Sequence, residues 1–141
     1  MTAKEFLSQY GEAQAEIEAL TDELTRTRSL AEKITVAFGS DGGCSGTVNT
    51  DKIPECVEKI METEEKIHQR TLELAEIRDS VYNTISQVPD SKLRNFLVMR
   101  YIGGESFESI SCKLGYTYNH IVKNLHPQGL EEINKILKQS T

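Results

Sequence analysis

The side chains of this chain that could do chemistry are binding groups rather than catalytic ones, and they gather between Thr117 and Asn124. The stretch Thr117-Tyr-Asn-His-Ile-Val-Lys-Asn124 sets two carboxamides, an imidazole and an ammonium within about two helical turns. A carboxamide carries a donor and an acceptor side by side, which matches the N6/N7 edge of adenine, and an ammonium matches the acceptors of guanine. Tyr118, Ile121 and Leu125 are required for packing by their spacing. Asn119, His120, Lys123 and Asn124 are then directed outward, and Thr117 and Tyr118 stand at the helix start, where a phosphate backbone would pass. These six residues are the candidate DNA contacts. A plain solvated surface is the competing reading for each.

Other chemistries find less support. Gly42-Gly-Cys-Ser-Gly46 has the outline of a nucleophile elbow with Cys for Ser, but that motif needs a strand before it, a helix after it and a positioned His. A long helical pattern precedes it, so it reads as a loop. No Gly-Lys-Ser/Thr follows the glycines, which excludes a phosphate loop. Cys44, Cys56 and Cys112 form neither a CxxC pair nor a Cys/His ligand spacing, so free thiols and no metal site are expected. His68 lies in a charged helical pattern and reads as solvated. Glu62, Glu64 and Glu65 read as a solvated face, or as a contact for a partner's basic surface. No catalytic residue, cofactor site or metal ligand emerges, and the chain is not expected to be an enzyme.

The elements that position the polar stretch are legible. Ser106 is a helix N-cap, with Phe107, Ile110 and Leu114 recurring behind it. Gly115 supplies the positive φ that ends a helix within one residue. Thr117 caps again, and Tyr118, Ile121, Val122 and Leu125 mark a second short amphipathic helix. Ser111 is small where the two helices must approach. Two short helices joined by a three-residue turn containing Gly form the pattern of a helix-turn-helix. Before it, Pro89-Asp90-Ser91 breaks one helix and caps another, whose Leu93, Phe96, Leu97 and Tyr101 can roof the unit until Gly103-Gly104 ends it. After it, Pro127 should stop or kink the helix at His126. Leu130, Ile133, Ile136 and Leu137 support one last helix, packed back on the unit or joined to a dimer contact.

Upstream the pattern changes to long repeats. Phe6, Tyr10, Ala13, Ile17, Leu20, Leu24, Thr27, Ala31, Ile34 and Phe38 alternate spacings of four and three, a coiled-coil seam interrupted only by Thr27. Gly11 is its weak point. A second stripe, Ile53, Val57, Ile60, Ile67, Leu74, Ile77, Val81 and Ile85, follows the caps Thr50 or Asp51 and is less regular, with Glu64 and Thr71 at seam-like positions. The expected fold is all-α. A long N-terminal antiparallel helical hairpin (coiled coil) covers residues 1–88, with a flexible Gly/Ser loop at 39–50, and a C-terminal helix-turn-helix domain covers 89–141. The uneven second stripe leaves apolar edges on the first helix, so a dimer or higher symmetric assembly through the hairpin is expected.

Net charge of −6 over 141 residues argues against a nucleic-acid partner, but its distribution does not. Residues 1–90 hold nine Lys/Arg against eighteen Asp/Glu, and residues 91–141 hold seven against four. Only the C-terminal third can approach phosphates without repulsion. A mean hydropathy of −0.43, no apolar run of membrane-spanning length and no signal-peptide core place the chain in the cytoplasm, away from membranes.

The stretch from Phe96 to Leu130 resembles the promoter-reading region 4 domain of sigma-70-type factors, through Arg100-Tyr101, Gly104, Ser106-Phe107-Glu108, Ile110, Leu114-Gly115, Thr117, Ile121 and Leu125-His126. The whole chain is similar to small phage and prophage regulators of Gram-positive bacteria, the ArpU/RinA-like late-transcription regulators. These open with a sequence like Met1-Thr-Ala-Lys-Glu-Phe-Leu7 and carry a helical hairpin before this domain. The resemblance implies a sequence-specific DNA-binding regulator, an activator of phage late genes acting on double-stranded DNA in a bacterial host. Val122-Lys123-Asn124 stands where sigma recognition helices are more basic, and the hairpin does not match the sigma domain that melts promoters, so a complete sigma factor is not implied. The alternative is an interaction module that binds host RNA polymerase or another regulator through the sigma-like unit, without a DNA site of its own.

Overall fold

The computed structural model describes the backbone of residues 1–39 and 52–140 and the side chains of 1–34 and 53–140. All regular structure among these residues is helical. The expected Gly/Ser loop, with Cys44 and the Gly42–Gly46 motif, and the expected caps Thr50 and Asp51 lie outside the described residues.

Two long helices, α1 (Ala3–Gly39) and α2 (Lys52–Ser86), come first. α1 opens with a reciprocal cap: Thr2 Oγ1 accepts from the Glu5 N–H at 3.2 Å, and Glu5 Oε2 accepts from the Thr2 N–H at 3.1 Å. The chain forms two compact units that divide within these helices, residues 15–72 in one, and 1–14 with 73–141 in the other. The boundary drawn from sequence, at residue 88, instead falls inside the second unit, where Val88 is fully buried.

In the unit of residues 15–72, α2 runs back along α1. Glu16 pairs with Arg70, whereas Glu23 pairs with Lys59 (3.1 Å) and Arg28 with Glu64 (2.5 Å). Hydrogen bonds from Lys59 and Arg26 hold the Glu23 carboxyl below the ordinary carboxylate range. Solvent screens pairs of this kind, so they fix register more than stability. From Ile17 to Ile34 the α1 stripe lies inward as its spacing predicts, with Leu24 and Thr27 buried, and the Phe38 side chain lies outside the described residues. The α2 stripe does not follow the expected register. Val57, Glu64 and Thr71 are exposed, and Cys56, Thr63 and Arg70 take the inward positions. Read as Ile53, Cys56, Ile60, Thr63, Ile67, Arg70, Leu74, Ile77 and Val81, the repeat is as regular as that of α1. Its polar members are satisfied: Thr63 Oγ1 donates to Lys59 O (2.8 Å), Thr27 Oγ1 to Glu23 O (3.0 Å), and Arg70 meets Glu16. Cys56 and Cys112 are free thiols, the first buried and the second exposed.

The second unit gathers the first turns of α1, the last turns of α2 and all later helices around one core. α3 (Ser91–Leu97) is capped by Asp90, whose carboxylate accepts from the Lys92 N–H at 2.9 Å. It continues as a wider π-type turn over Val98–Ile102 that closes where the Gly103 N–H reaches Val98 O. Then come α4 (Phe107–Leu114), α5 (Tyr118–His120), a second π-type turn (Ile121–Leu125) and α6 (His126–Gln139). Phe96, Leu97, Ile110, Ile121 and Ile133 are fully buried, together with Leu7 of α1 and Val81 of α2. Asn134 Oδ1 accepts the Ala3 N–H at 3.1 Å, tying α1 to α6. α6 approaches α3 at Gly129, where a β-carbon would lie 3.0 Å from Leu97 Cδ2.

Pro127 does not end the helix. Leu125 and His126 keep right-handed helical dihedrals, and the π-type turn just before the proline carries the His126 N–H to Ile121 O. Widening the turn moves the carbonyl of residue 123 off the proline ring, and the proline's missing N–H falls at the new first turn, where none is required.

Gly11 sits in α1 with open space where a β-carbon would stand, nothing lying within 4 Å of it, so Gly11→Ala should stabilise the protein by about 1 kcal/mol. Gly115→Val, at φ 76, should instead destabilise the second unit. Paired denaturant titrations of the full chain check both signs.

Candidate functional site

The polar stretch is presented by three local devices. Ser106 accepts the Ser109 N–H at 3.1 Å and starts α4. Gly115, with φ 76 and ψ 19, ends it, its N–H bonding to Ser111 O at 3.0 Å. Thr117 Oγ1 accepts the His120 N–H at 3.1 Å and starts α5. The intervening turn is held by the Ser111 hydroxyl, which donates to Tyr116 O. A small polar side chain at 111 therefore does more than permit close approach; it satisfies a turn carbonyl.

Behind the stretch lies a node of rings. His126 faces Phe107 with ring centroids 5.1 Å apart and contacts Phe96 and Tyr101 at 6.1 Å. Its Nε2 shares a 2.7 Å hydrogen bond with the Tyr101 hydroxyl. The Arg100 guanidinium stacks 4.1 Å from the Phe107 centroid and donates to Glu105 O at 3.0 Å, which fixes the entry into α4. Phe107 in turn meets the edge of Tyr118 at 6.5 Å. Burial, then the positive charges of Arg100 and Lys4, holds the His126 imidazole below its ordinary value of 6.5. Burial likewise raises the Tyr101 phenol above its ordinary value of 10.0.

The six candidate residues fall on one short piece of helix but in different environments. Thr117, Asn119, Lys123 and Asn124 are exposed, and His120 is half-buried. Tyr118, expected to pack inward, is 49% exposed, with its ring in edge contact with Phe107. His120 is held on both sides: its ring centroid lies 5.0 Å from that of Tyr116, and its Nδ1 is 2.8 Å from Asn124 Nδ2. Nearby, Lys113 at the end of α4 is paired with Glu105. Phe107 was expected to pack behind the Ser106 cap, and the supports that the apolar spacing did not single out are Arg100, Tyr116 and His126. Tyr116 and His126 are rings at or beside helix starts, which is the signal that marks them.

No family model, curated protein or solved structure matches the chain. Among the described residues, no group of three or more His, Cys, Asp or Glu side chains is placed to hold a metal ion, and no helix is long and apolar enough to cross a membrane.

A depressed His126 pKa has a defined consequence for stability. The unfolded chain binds the proton more readily than the folded one, so the contribution is complete above about pH 6.5 and is lost as pH falls through the lower folded value. Stability measured from pH 7.5 down to 5 should decline in the parent, and His126→Gln should flatten that decline. Equal slopes for the two proteins would show that the node does not exclude the imidazolium.

Proposed function

We propose that this chain is a sequence-specific DNA-binding transcriptional regulator, an activator of phage late genes, with α4 and α5 as a helix-turn-helix and the α5 segment as its reader. The observation that carries this reading is the exposed set Asn119, Lys123 and Asn124 on a helix start fixed by Thr117, directly after the left-handed Gly115. A short helix held by its neighbours and showing amides and an ammonium to solvent is suited to the major groove, where its N-terminal residues reach base edges. The positive balance of residues 91–141 favours the same partner.

The reading is tested by selecting duplexes from a random library with the full chain in the presence of excess nonspecific DNA. Asn119→Ala should leave the thermal melt unchanged and reduce discrimination between the selected site and random DNA by roughly tenfold, the lower part of the range for one bidentate base contact. Unchanged affinity for both would remove Asn119 from the interface. The acidic balance of residues 1–90 and the Lys113–Glu105 pair favour a second reading, in which the same unit docks on RNA polymerase or another regulator. Under it, no duplex would be enriched.

Self-association through the long helices belongs to the same proposal. Ile17 and Leu24 are engaged within the chain's own seam, so the contact would use outer residues: Leu30, Val57, Met61 and Leu72 are each about half exposed or more. Two reading units presented together convert the second DNA contact into an intramolecular one, which offsets a modest charge excess. Val57→Glu with Met61→Glu should lower the molar mass found by light scattering and weaken DNA binding together. A monomeric parent at micromolar concentration with intact DNA binding would contradict this.

A further inference from the structure

Within the DNA-binding reading, on which this rests, we infer that His120 and Asn124 act as one reading unit, in which His120 is the positioning residue that directs the carboxamide edge of Asn124 onto an adenine. The two side chains lie one helical turn apart with Asn124 Nδ2 2.8 Å from His120 Nδ1. A carboxamide nitrogen only donates, so Nδ1 accepts, and a neutral imidazole then carries its proton on Nε2. With the imidazole proton on Nε2, that bond sets the sense of the amide. Turning it over would bring Oδ1 against an unprotonated Nδ1, two acceptors facing each other. The imidazole is itself held from the other side by the Tyr116 ring at 5.0 Å, and Tyr116 is anchored through its carbonyl by Ser111. The orientation of an exposed side chain is thus fixed by a chain of contacts that reaches back into α4.

The donor and acceptor count then selects the base. The amide has two N–H donors and one acceptor oxygen, and the imidazole takes one N–H. One donor and one acceptor remain. Adenine offers N7 as acceptor and N6–H as donor in the major groove and is matched by that remainder, whereas guanine offers two acceptors, N7 and O6, and is not. An Asn left to rotate could present either edge only by ordering on contact; one already held by His120 does not reorganise.

The test uses the full chain and the duplex it selects from a random library, with affinities measured for that duplex and for versions carrying A·T→G·C at each position in turn. Asn124→Ala and His120→Ala should each lower the preference for A·T at one and the same base pair by tenfold or more. The double variant should lose at most about twofold beyond either single one, as expected for residues acting as a unit. His120→Gln, whose side-chain oxygen can accept the same N–H, should retain most of the preference, which a merely structural role for His120 would not give. A library that yields no preferred duplex overturns the DNA-binding reading and this inference with it. A preferred duplex on which His120→Ala is silent, or acts at a different base pair from Asn124→Ala, overturns the coupling and leaves DNA binding standing.

Discussion

The C-terminal architecture depends on the seating of one imidazole. His126 begins α6, yet it touches Phe96 and Tyr101 from the α3 segment and Phe107 from the start of α4. A half-buried ring nitrogen without a partner costs about 1–3 kcal/mol, and here the Tyr101 hydroxyl supplies the partner at 2.7 Å. Arg100, stacked on Phe107 and bonded to Glu105 O, holds the same corner from outside. Three helix segments are located against one another by these rings. With Ile121 and Leu125 buried and His120 and Val122 half-buried, positions 119, 123 and 124 of that helix are left to solvent together with Tyr118. The polar face is thus a consequence of the core rather than a separate design.

The π-type turn at Ile121–Leu125 makes this seating compatible with Pro127. An uninterrupted α-helix would set the proline ring against the carbonyl four residues back, and a full break would separate α5 from α6. The wider turn avoids both, so His126 and the buried Ile133 and Ile136 follow α5 on one continuous path. The same core takes in Ala3 and Leu7, and the Ala3 N–H is bonded to Asn134. Residues at opposite ends of the sequence therefore share one folding unit, and loss of the first turns of α1 would be felt at α6.

How far the sequence announced this varies with the range of the interaction. Ser106, Gly115 and Thr117 were legible because capping and left-handed termination are decided within three or four residues, and each behaves as its type predicts. The two long helices were legible from periodicity. The inward face of α2 was not, because Val57 is the more apolar neighbour and Cys56, Thr63 and Arg70 look like poor seam residues until their partners are visible: a carbonyl four residues back for Thr63 and Glu16 for Arg70. Pro127 read as a stop or a kink at His126, and the helix does not stop there because a π-type turn, which the sequence does not show, precedes it. The Ala3–Asn134 bond and the Tyr101–His126 pair join residues 131 and 25 positions apart, and no local pattern encodes either. Of the candidate site, the residue types and the outward direction of Asn119, Lys123 and Asn124 could be read. The mutual holding of His120 and Asn124, with Tyr116 behind them, could not.

Charge places a limit on how this unit can work. An excess of three positive charges in residues 91–141 is small for a phosphate-binding surface, so under the proposed DNA-binding function specificity would come from base edges and from the fixed pose of a few side chains. The central claim is therefore that the α5 segment enters the major groove. Methylation interference with dimethyl sulfate measures this directly, because guanine is methylated at N7 in the major groove and adenine at N3 in the minor groove. On a duplex selected by the full chain, the account predicts that N7 methylation blocks binding within one short run of bases while N3 methylation in that run is tolerated. Binding blocked by N3 methylation and indifferent to N7, or a selection that enriches no duplex, would contradict it.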